Sequence, residues 1–473
     1  MNASSEDVAA GEEAPAGAHQ RPLWHSLLLP LVAAACVRAA IAIAFSGTDP
    51  AGDERAYLLL GERWRIEGTY EGIWAPGYPA LIAALGGLVG DASTAALRGL
   101  QVALGVWNVA WIGALAAAIG GRRSGVCAAW IAALYLPLAG FAGLLYSEPL
   151  HLALFTPALA LLAAASRRSS AATRRAAASA GVLLGLAALV RESSLLFVPI
   201  LGLWLARNAA QGGASRASLA VTMVACSLAT ILPWTVRNTA VHGQLVPIAI
   251  STGGSAHVGM NSHDVNYDLA GLGGDPGQAP GVLRAVIRGP APEPWRAADE
   301  GAPAARARAN VSRGLRYAAL HPLFFLRSRA VELVDLLTPL SFPVRSLRLA
   351  SPGRPLRGTG ARLAFAACAV FMVPALLLAA LRGWWAMQAS PAHRALLVWV
   401  SGGVLVSALV NGMSRYRLPA LPLLIGFSAL ALVGLRAADG ATRARAAAVI
   451  GAGLVLLWIP SMEGVQQTLS ALR

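Results

Sequence analysis

The residues best placed to do chemistry lie in Asp49–Pro79, DPAGDERAYLLLGERWRIEGTYEGIWAPGYP, directly after the first long apolar run. Asp49 followed by Pro50 predicts a helix start, with a capping side chain and a proline at the first helical position. Asp53 then falls in the opening turns, where the positive end of the helix dipole favours a carboxylate. Such a group suits taking a proton or a hydrogen bond from an attacking hydroxyl. At helical spacing Asp53, Tyr57, Leu60 and Trp64 share one face, so the carboxylate is expected above an aromatic platform at a membrane surface. Glu54 lies about 100° round the helix, which makes Asp53 the candidate base and Glu54 its support. The plainer alternative is that both acids are solvated caps of an interfacial helix.

Three further stretches carry charge at the ends of apolar runs. In Tyr146-Ser147-Glu148-Pro149, Glu148 stands where two runs meet, a position that is costly for an ionisable group unless it faces a cavity. A cap for the following helix is the competing reading, and His151 reads as a packed core histidine. In Leu232–Gly259, Arg237 follows Pro233 and Trp234, and Gly253 and Gly254 beside Ser251 and Thr252 offer backbone N–H groups to an anion. A snorkelling arginine beside a tryptophan belt explains Arg237 equally well. In Ser414–Pro419, Arg415 and Arg417 could grip a lipid phosphate through paired hydrogen bonds or anchor to headgroups in general. Arg38 and Arg191 are expected to pair with acids inside the bundle.

These groups need elements to hold them, and the composition says where those elements sit. Of 473 residues 56% are hydrophobic and 13% charged, against about 25% charged in an ordinary soluble domain. So polar-poor a surface must face lipid. The net charge of +15 is carried by arginine alone, since the chain has no lysine. Most of these arginines lie between apolar runs rather than along one helix face, so nucleic acid is not expected as a partner. Cys36, Cys127, Cys226 and Cys368 are scattered singly through apolar runs, which argues against both a disulfide framework and a zinc site.

The expected architecture is an all-α, polytopic bundle of about eleven transmembrane helices. Residues 1–22 read as a disordered cytoplasmic tail. Residues 23–236 form a transmembrane catalytic module that includes a first outer loop, 46–94. Residues 237–360 form an extracytoplasmic region, with 264–310 a loop and Leu315–Leu340 an interfacial helix, and 361–473 return to the membrane. The expected spans are 23–45, 95–119, 125–145, 149–165, 178–190, 195–206, 217–236, 361–381, 395–412, 418–435 and 446–460. Leu23–Phe45 is read as a retained helix, not a cleaved signal, because Arg38 interrupts its apolar core. Arginines at 122–123, 167–175, 207–216, 382–394 and 436–445 fall on alternate loops and mark those as cytoplasmic. The N-terminus is then cytoplasmic, the candidate site extracytoplasmic, and the location a cell (inner) membrane.

Taken in order, Asp53-Glu54 with Tyr57, Ala75-Pro76-Gly77-Tyr78-Pro79, Tyr146-Ser147-Glu148-Pro149, Leu189-Val190-Arg191-Glu192, Pro233-Trp234-Thr235-Val236-Arg237-Asn238 and Arg415-Tyr416-Arg417-Leu418-Pro419 resemble motifs of the GT-C superfamily of polyprenyl-phosphate-sugar glycosyltransferases. Within it the resemblance is to bacterial relatives of protein O-mannosyltransferases and of the lipid A aminoarabinose transferase. Arg191-Glu192 departs from the family's Leu-Thr-Arg-Pro run. The resemblance implies a polyprenyl-phosphate-linked sugar as donor and a hydroxyl acceptor on a glycan, lipid or protein, with inversion at the anomeric carbon. It makes Asp53 the catalytic carboxylate, with Arg237, Arg415 and Arg417 as candidates for the phosphate and Tyr57 and Glu148 for the substrate. It leaves the use of a divalent metal open. A lipid or solute transporter, or an inactive envelope scaffold, are the rival readings; common transporter folds place polar sites at broken helices near the midplane, not at span ends.

Overall fold

The computed structural model describes residues 22–46, 50, 52–70, 74–89, 94–166, 171–209, 215–250, 303–337, 342–343, 359–385, 389–409, 414–436, 440–442 and 444. The expected tail, the Gly253-Gly254 turn, most of the 264–310 loop and the span at 446–460 lie outside these residues. Among the described residues the structure is helical: α1 (Leu23–Ala44), α2 (Asp53–Glu67), α3 (Gly77–Val89), α4 (Thr94–Gly120), α5 (Arg122–Leu134), α6 (Leu136–Ala139), α7 (Glu148–Ala165), α8 (Ala171–Val190), α9 (Phe197–Asn208), α10 (Arg216–His242), α11 (Pro303–Leu320), α12 (Pro322–Leu337), α13 (Thr359–Trp384), α14 (Pro391–Ala408) and α15 (Leu421–Arg436). Tight 3-10 turns at Gly140–Ala142, Glu192–Leu196 and Ser414–Ala420 join or extend them.

Among the described residues six stretches are long and apolar enough to cross a membrane, or seven if the bent pair Arg122–Leu134 and Leu136–Ala142 is one span. Two of the expected spans take a different form. Residues 125–145 do not form a straight rod, because the helix breaks at Tyr135 and turns by 61°. The expected span 195–206 is a 3-10 turn followed by the twelve-residue α9, which is about 18 Å long, short of the roughly 30 Å of a bilayer core. Two other expectations change. Helix α11 begins at Pro303, inside the expected loop, and Leu315–Leu340 is split at His321–Pro322, where the proline disfavours helical backbone in the residue before it.

The bundle is held by close helix contacts made through small residues. On α8, Gly181 and Gly185 lie one turn apart against α10, where a Cβ on Gly181 would stand 2.2 Å from the Met223 carbonyl oxygen and one on Gly185 2.7 Å from that of Ser227. This small-xxx-small spacing lets backbones approach where lipid offers no hydrophobic drive for helix association. Gly383 of α13 sits as close to Phe427 of α15.

The chain order puts two sets of turns at opposite ends. One end collects the C-terminus of α1, all of α2 and α3, residues 143–148, the turn 191–196 and the turn 414–420. The other end collects the arginine-bearing turns; there His393 meets Ser166 and the Ala163 carbonyl, and the Trp204 indole donates to Ala392. The α8–α10 contact is expected to be intolerant. Gly181→Val should lower the thermal midpoint of the detergent-purified protein by an amount matching overpacking of about 1–3 kcal/mol, whereas Val182→Ala, on a partly exposed position of α8, should leave it nearly unchanged. Equal midpoints for both variants would contradict the packing described.

Candidate functional site

The site is assembled from four helix ends at the pole opposite the arginine-rich turns. Helix α2 starts at Asp53, not at Pro50, because Gly52 adopts φ +57°, in the left-handed region where a helix cannot begin. Asp53 and Glu54 then occupy the first turn. They point to different partners. Glu54 is buried and accepts the Leu145 N–H at 2.8 Å, which pins the 143–147 segment to α2. Asp53, with its side chain 39% exposed, pairs with Arg415 at 3.0 Å.

Arg415 stands between two carboxylates. The same Nη1 lies 3.9 Å from Glu148, whose carboxylate in turn meets Arg191 at 2.6 Å. Glu148 opens α7 and is 1% exposed. Neither of its oxygens receives a directed hydrogen bond, so it is held by charge rather than by geometry. The guanidinium planes are packed on rings: Arg415 on Phe342, Tyr146 and Tyr416, and Arg191 on Tyr416. An aromatic face both attracts the cation and limits its solvation. Sidelong, Glu148, Arg191, Arg415, Tyr416, His151 and Ser193 line a small pocket. His151 is buried and shares a 2.6 Å hydrogen bond with Ser194.

Tyr57, one turn after Asp53, connects α2 to the same cluster. Its hydroxyl shares a 3.2 Å hydrogen bond with Ser147, which also accepts from Arg191 at 3.4 Å. Burial pushes the Tyr57 phenol up to about 12, so it stays protonated at neutral pH. Its ring meets Trp74 and Tyr78 edge-on, with centroids 4.7 and 5.0 Å apart. The APGYP segment is held against α8 because Gly77 has no Cβ to collide with Leu189 and Val190, the residues just before Arg191.

Not every candidate joins this cluster. The single aromatic platform expected along Asp53, Tyr57, Leu60 and Trp64 divides in two. Trp64, about 16 Å farther along the helix, packs with Tyr70 and Trp234. Arg237 belongs to that second group, over the Trp234 ring at 4.9 Å and donating to the Tyr70 carbonyl. Arg417 points the other way and donates to the Leu336 carbonyl of α12 at 3.1 Å. Arg38 pairs with no acid among the described residues; it donates to the carbonyls of Ala132 and Ala133 at the end of α5, at 3.0 and 3.1 Å. Helix-end carbonyls carry partial negative charge, which gives a buried guanidinium its counter-dipole without a carboxylate.

Arg191 pairs with a bundle acid, Glu148, as expected from the sequence, and lies in the cluster itself. Arg98, Gln101 and Asn108 on α4 also serve the site, though none is among the candidates the sequence singles out. Arg98 donates to Gly143, Gln101 to Tyr146 and Leu144, and Asn108 to Pro149, so α4 carries the backbone that presents Glu148. Polar residues recurring at helical spacing in an apolar span were the available signal.

A divalent ion is a poor fit to these residues. The carboxylates of Asp53 and Glu148 share a guanidinium nitrogen between them. Among the described residues no group of three or more His, Cys, Asp or Glu side chains converges. What the arrangement can do is accept a proton at the exposed Asp53 oxygens while two guanidiniums stand close by to receive an anion.

No protein-family model and no curated protein matches the chain by sequence. Its fold does have solved counterparts. The archaeal oligosaccharyltransferase AglB from Archaeoglobus fulgidus, in complex with an inhibitory peptide and a dolichol-phosphate, aligns with a TM-score of 0.51 at 16% identity over 94% of this chain and 55% of that one. The Archaeoglobus fulgidus oligosaccharyltransferase tethered with an acceptor peptide containing the NVT sequon gives 0.50 at 14% identity, over 96% and 55%. ArnT from Cupriavidus metallidurans bound to undecaprenyl phosphate gives 0.40 at 14%, over 86% and 78%. The chain thus spans about half the length of the oligosaccharyltransferase it matches. Over the aligned residues the chain shares the helical fold of the archaeal oligosaccharyltransferase.

Proposed function

We propose that this protein is a membrane glycosyltransferase that moves a sugar from a polyprenyl-phosphate donor to a hydroxyl acceptor on the extracytoplasmic side, with inversion. The observation that carries the proposal is one cluster: a partly exposed carboxylate, Asp53, beside two largely covered arginines, Arg415 and Arg191, at one pole of a membrane bundle. Arginine-bearing turns gather at the other pole, and by the tendency of such turns to stay in the cytoplasm the cluster faces outward. The solved oligosaccharyltransferase with the same fold is in complex with a dolichol-phosphate, which supports a lipid-linked donor here.

In this reaction Asp53 accepts the proton of the acceptor hydroxyl as its oxygen attacks the anomeric carbon. The bond from that carbon to the phosphate oxygen breaks on the opposite face, and the electron pair leaves with the polyprenyl phosphate. Arg415 and Arg191 stabilise the charge that grows on the phosphate, a task for which cations fixed in advance by ring stacking and ion pairing are suited. Arg415 also bridges base and phosphate site, so donor binding that draws Arg415 toward phosphate frees Asp53 to take a proton. Glu148 keeps the two guanidiniums together against their mutual repulsion. The acceptor class is left to the outer loops.

The reading makes two measurable statements. In reconstituted membranes with a polyprenyl-phosphate sugar, Asp53→Asn should stay inserted and slow transfer by about 10² to 10⁴; turnover at the wild-type rate removes Asp53 from the mechanism. Arg191→Gln should reduce kcat by about 10², whereas Arg237→Gln, in the separate aromatic group, should reduce it by less than about tenfold. Because Arg191→Gln strands a buried carboxylate at a cost of about 3–5 kcal/mol, the double variant Glu148→Gln/Arg191→Gln should regain stability without regaining activity. Recovery of both would assign Arg191 to the scaffold alone.

A further inference from the structure

Behind Glu148, on the side away from the arginine pocket, α4 presents Gln101, Gly105 and Asn108 at i, i+4 and i+7, one face of the helix. Gln101 and Asn108 are 2% and 1% exposed. Their amide orientation is set by what the nitrogens reach. Gln101 Nε2 has Tyr146 O at 2.7 Å, Tyr78 Oη at 2.9 Å and Leu144 O at 3.2 Å, and Asn108 Nδ2 has Pro149 O at 3.0 Å. Carbonyl oxygens accept only, so the nitrogen of each amide must be the atom that faces them. Gln101 Oε1 and Asn108 Oδ1 therefore face elsewhere, and no protein group donates to either. The two Glu148 oxygens lack a directed donor as well.

All three side chains line one cavity of about 10 Å³, together with Arg38 and Gly105. That volume is at the lower limit for a single water, which needs two to four polar partners to be held. Gly105 keeps Arg38 close to α4, since a Cβ there would stand 2.6 Å from Arg38 Cδ and Nε. Gln101, Asn108 and Glu148 bring buried acceptor oxygens without a directed donor to the lining of one small space, and such oxygens call for an occupant that donates. A bare cation would add charge next to Arg38 and to a carboxylate already facing Arg191 at 2.6 Å and Arg415 at 3.9 Å. A hard divalent ion also seeks about six or more oxygens. A neutral donor supplies the missing hydrogens without that charge.

We propose that this cavity binds one ordered water that donates one hydrogen to Glu148 and the other to the amide oxygen of Gln101 or Asn108, and that these two residues position the Glu148 carboxylate through it. Glu148 would then be held from both sides: by cations in front and by a directed hydrogen bond behind, which fixes the carboxylate plane that charge alone leaves free to rotate. The water does not depend on the reaction proposed above; only the kinetic consequence rests on that reading.

A high-resolution density map of the full chain in lipid nanodiscs tests the water directly. The expected result is one peak within hydrogen-bond distance of Glu148 and at least one of the two amide oxygens, retained in Asn108→Ala and lost in Asn108→Leu, where the longer apolar side chain fills the space. No peak in the wild-type map, or a peak ringed by five or more oxygens at about 2.0–2.6 Å as a metal cation would be, overturns the proposal. In transfer assays Asn108→Leu should lower kcat by about tenfold or more with the donor KM little changed, as expected of a displaced catalytic group, and Asn108→Ala should lose much less. Loss in Asn108→Ala equal to or greater than in Asn108→Leu would mean that Asn108 acts by packing alone. If the wild-type protein transfers no sugar, the transferase reading fails and the map still decides the water.

Discussion

Glu148 and the two arginines that face it are the constraint on which the rest of this pole depends. A carboxylate 1% exposed inside a membrane bundle is tolerable only with its countercharges in place, and removing one partner of such a pair costs about 3–5 kcal/mol. That is a large part of the about 5–15 kcal/mol by which a typical domain is stable. The pairing therefore dictates structure. Arg191 must come from the end of α8, Arg415 from the turn before α15, and Glu148 from the first residue of α7, so these helix ends have to meet. The Asp53 carboxylate joins this assembly through Arg415 and is its most exposed charged member.

The surroundings serve to keep that meeting point fixed. Glu54 and Gln101 hold the 143–147 segment by its backbone from opposite sides, α2 and α4. Tyr57 ties α2 to Ser147, and Gly77 brings the APGYP segment against the end of α8. The close contact of α8 with α10 in turn sets where α8 ends. Each of these is a hydrogen bond or a glycine contact, the kinds of interaction that do not slide as apolar side-chain contacts in lipid can. A cation pocket built this way is organised before any ligand arrives.

Much of this was legible in the sequence because each charged motif sits at the edge of an apolar run. Asp53, Glu148 and Arg415 stand out by that position, and Asp53 and Glu148 follow directly from helix starts. What was not legible is which arginine meets which acid. Arg191 and Arg237 look alike as sequence, each at the end of a span, yet one meets Glu148 and the other lies over Trp234. The choice depends on how α8 and α10 are rotated and staggered against each other, which hydropathy does not encode. Two of the expected crossings take another form for a related reason: apolar composition does not reveal that α9 is only twelve residues long or that the helix after Arg122 bends at Tyr135. The start of α2 was missed because Asp49-Pro50 is a valid cap pattern, and only the backbone of Gly52 overrides it. Gln101 and Asn108 recur at helical spacing in plain view; without the fold there was no partner to connect them to.

The account stands or falls on where the α2 carboxylate is presented. With the four native cysteines replaced and Asp53→Cys introduced, a membrane-impermeant thiol reagent applied to intact cells should label position 53, and a polyprenyl-phosphate sugar should protect it. Labelling that requires access from the cytosol, or that the lipid-linked donor leaves unchanged, would contradict the assignment of this pole as the place where sugar is transferred.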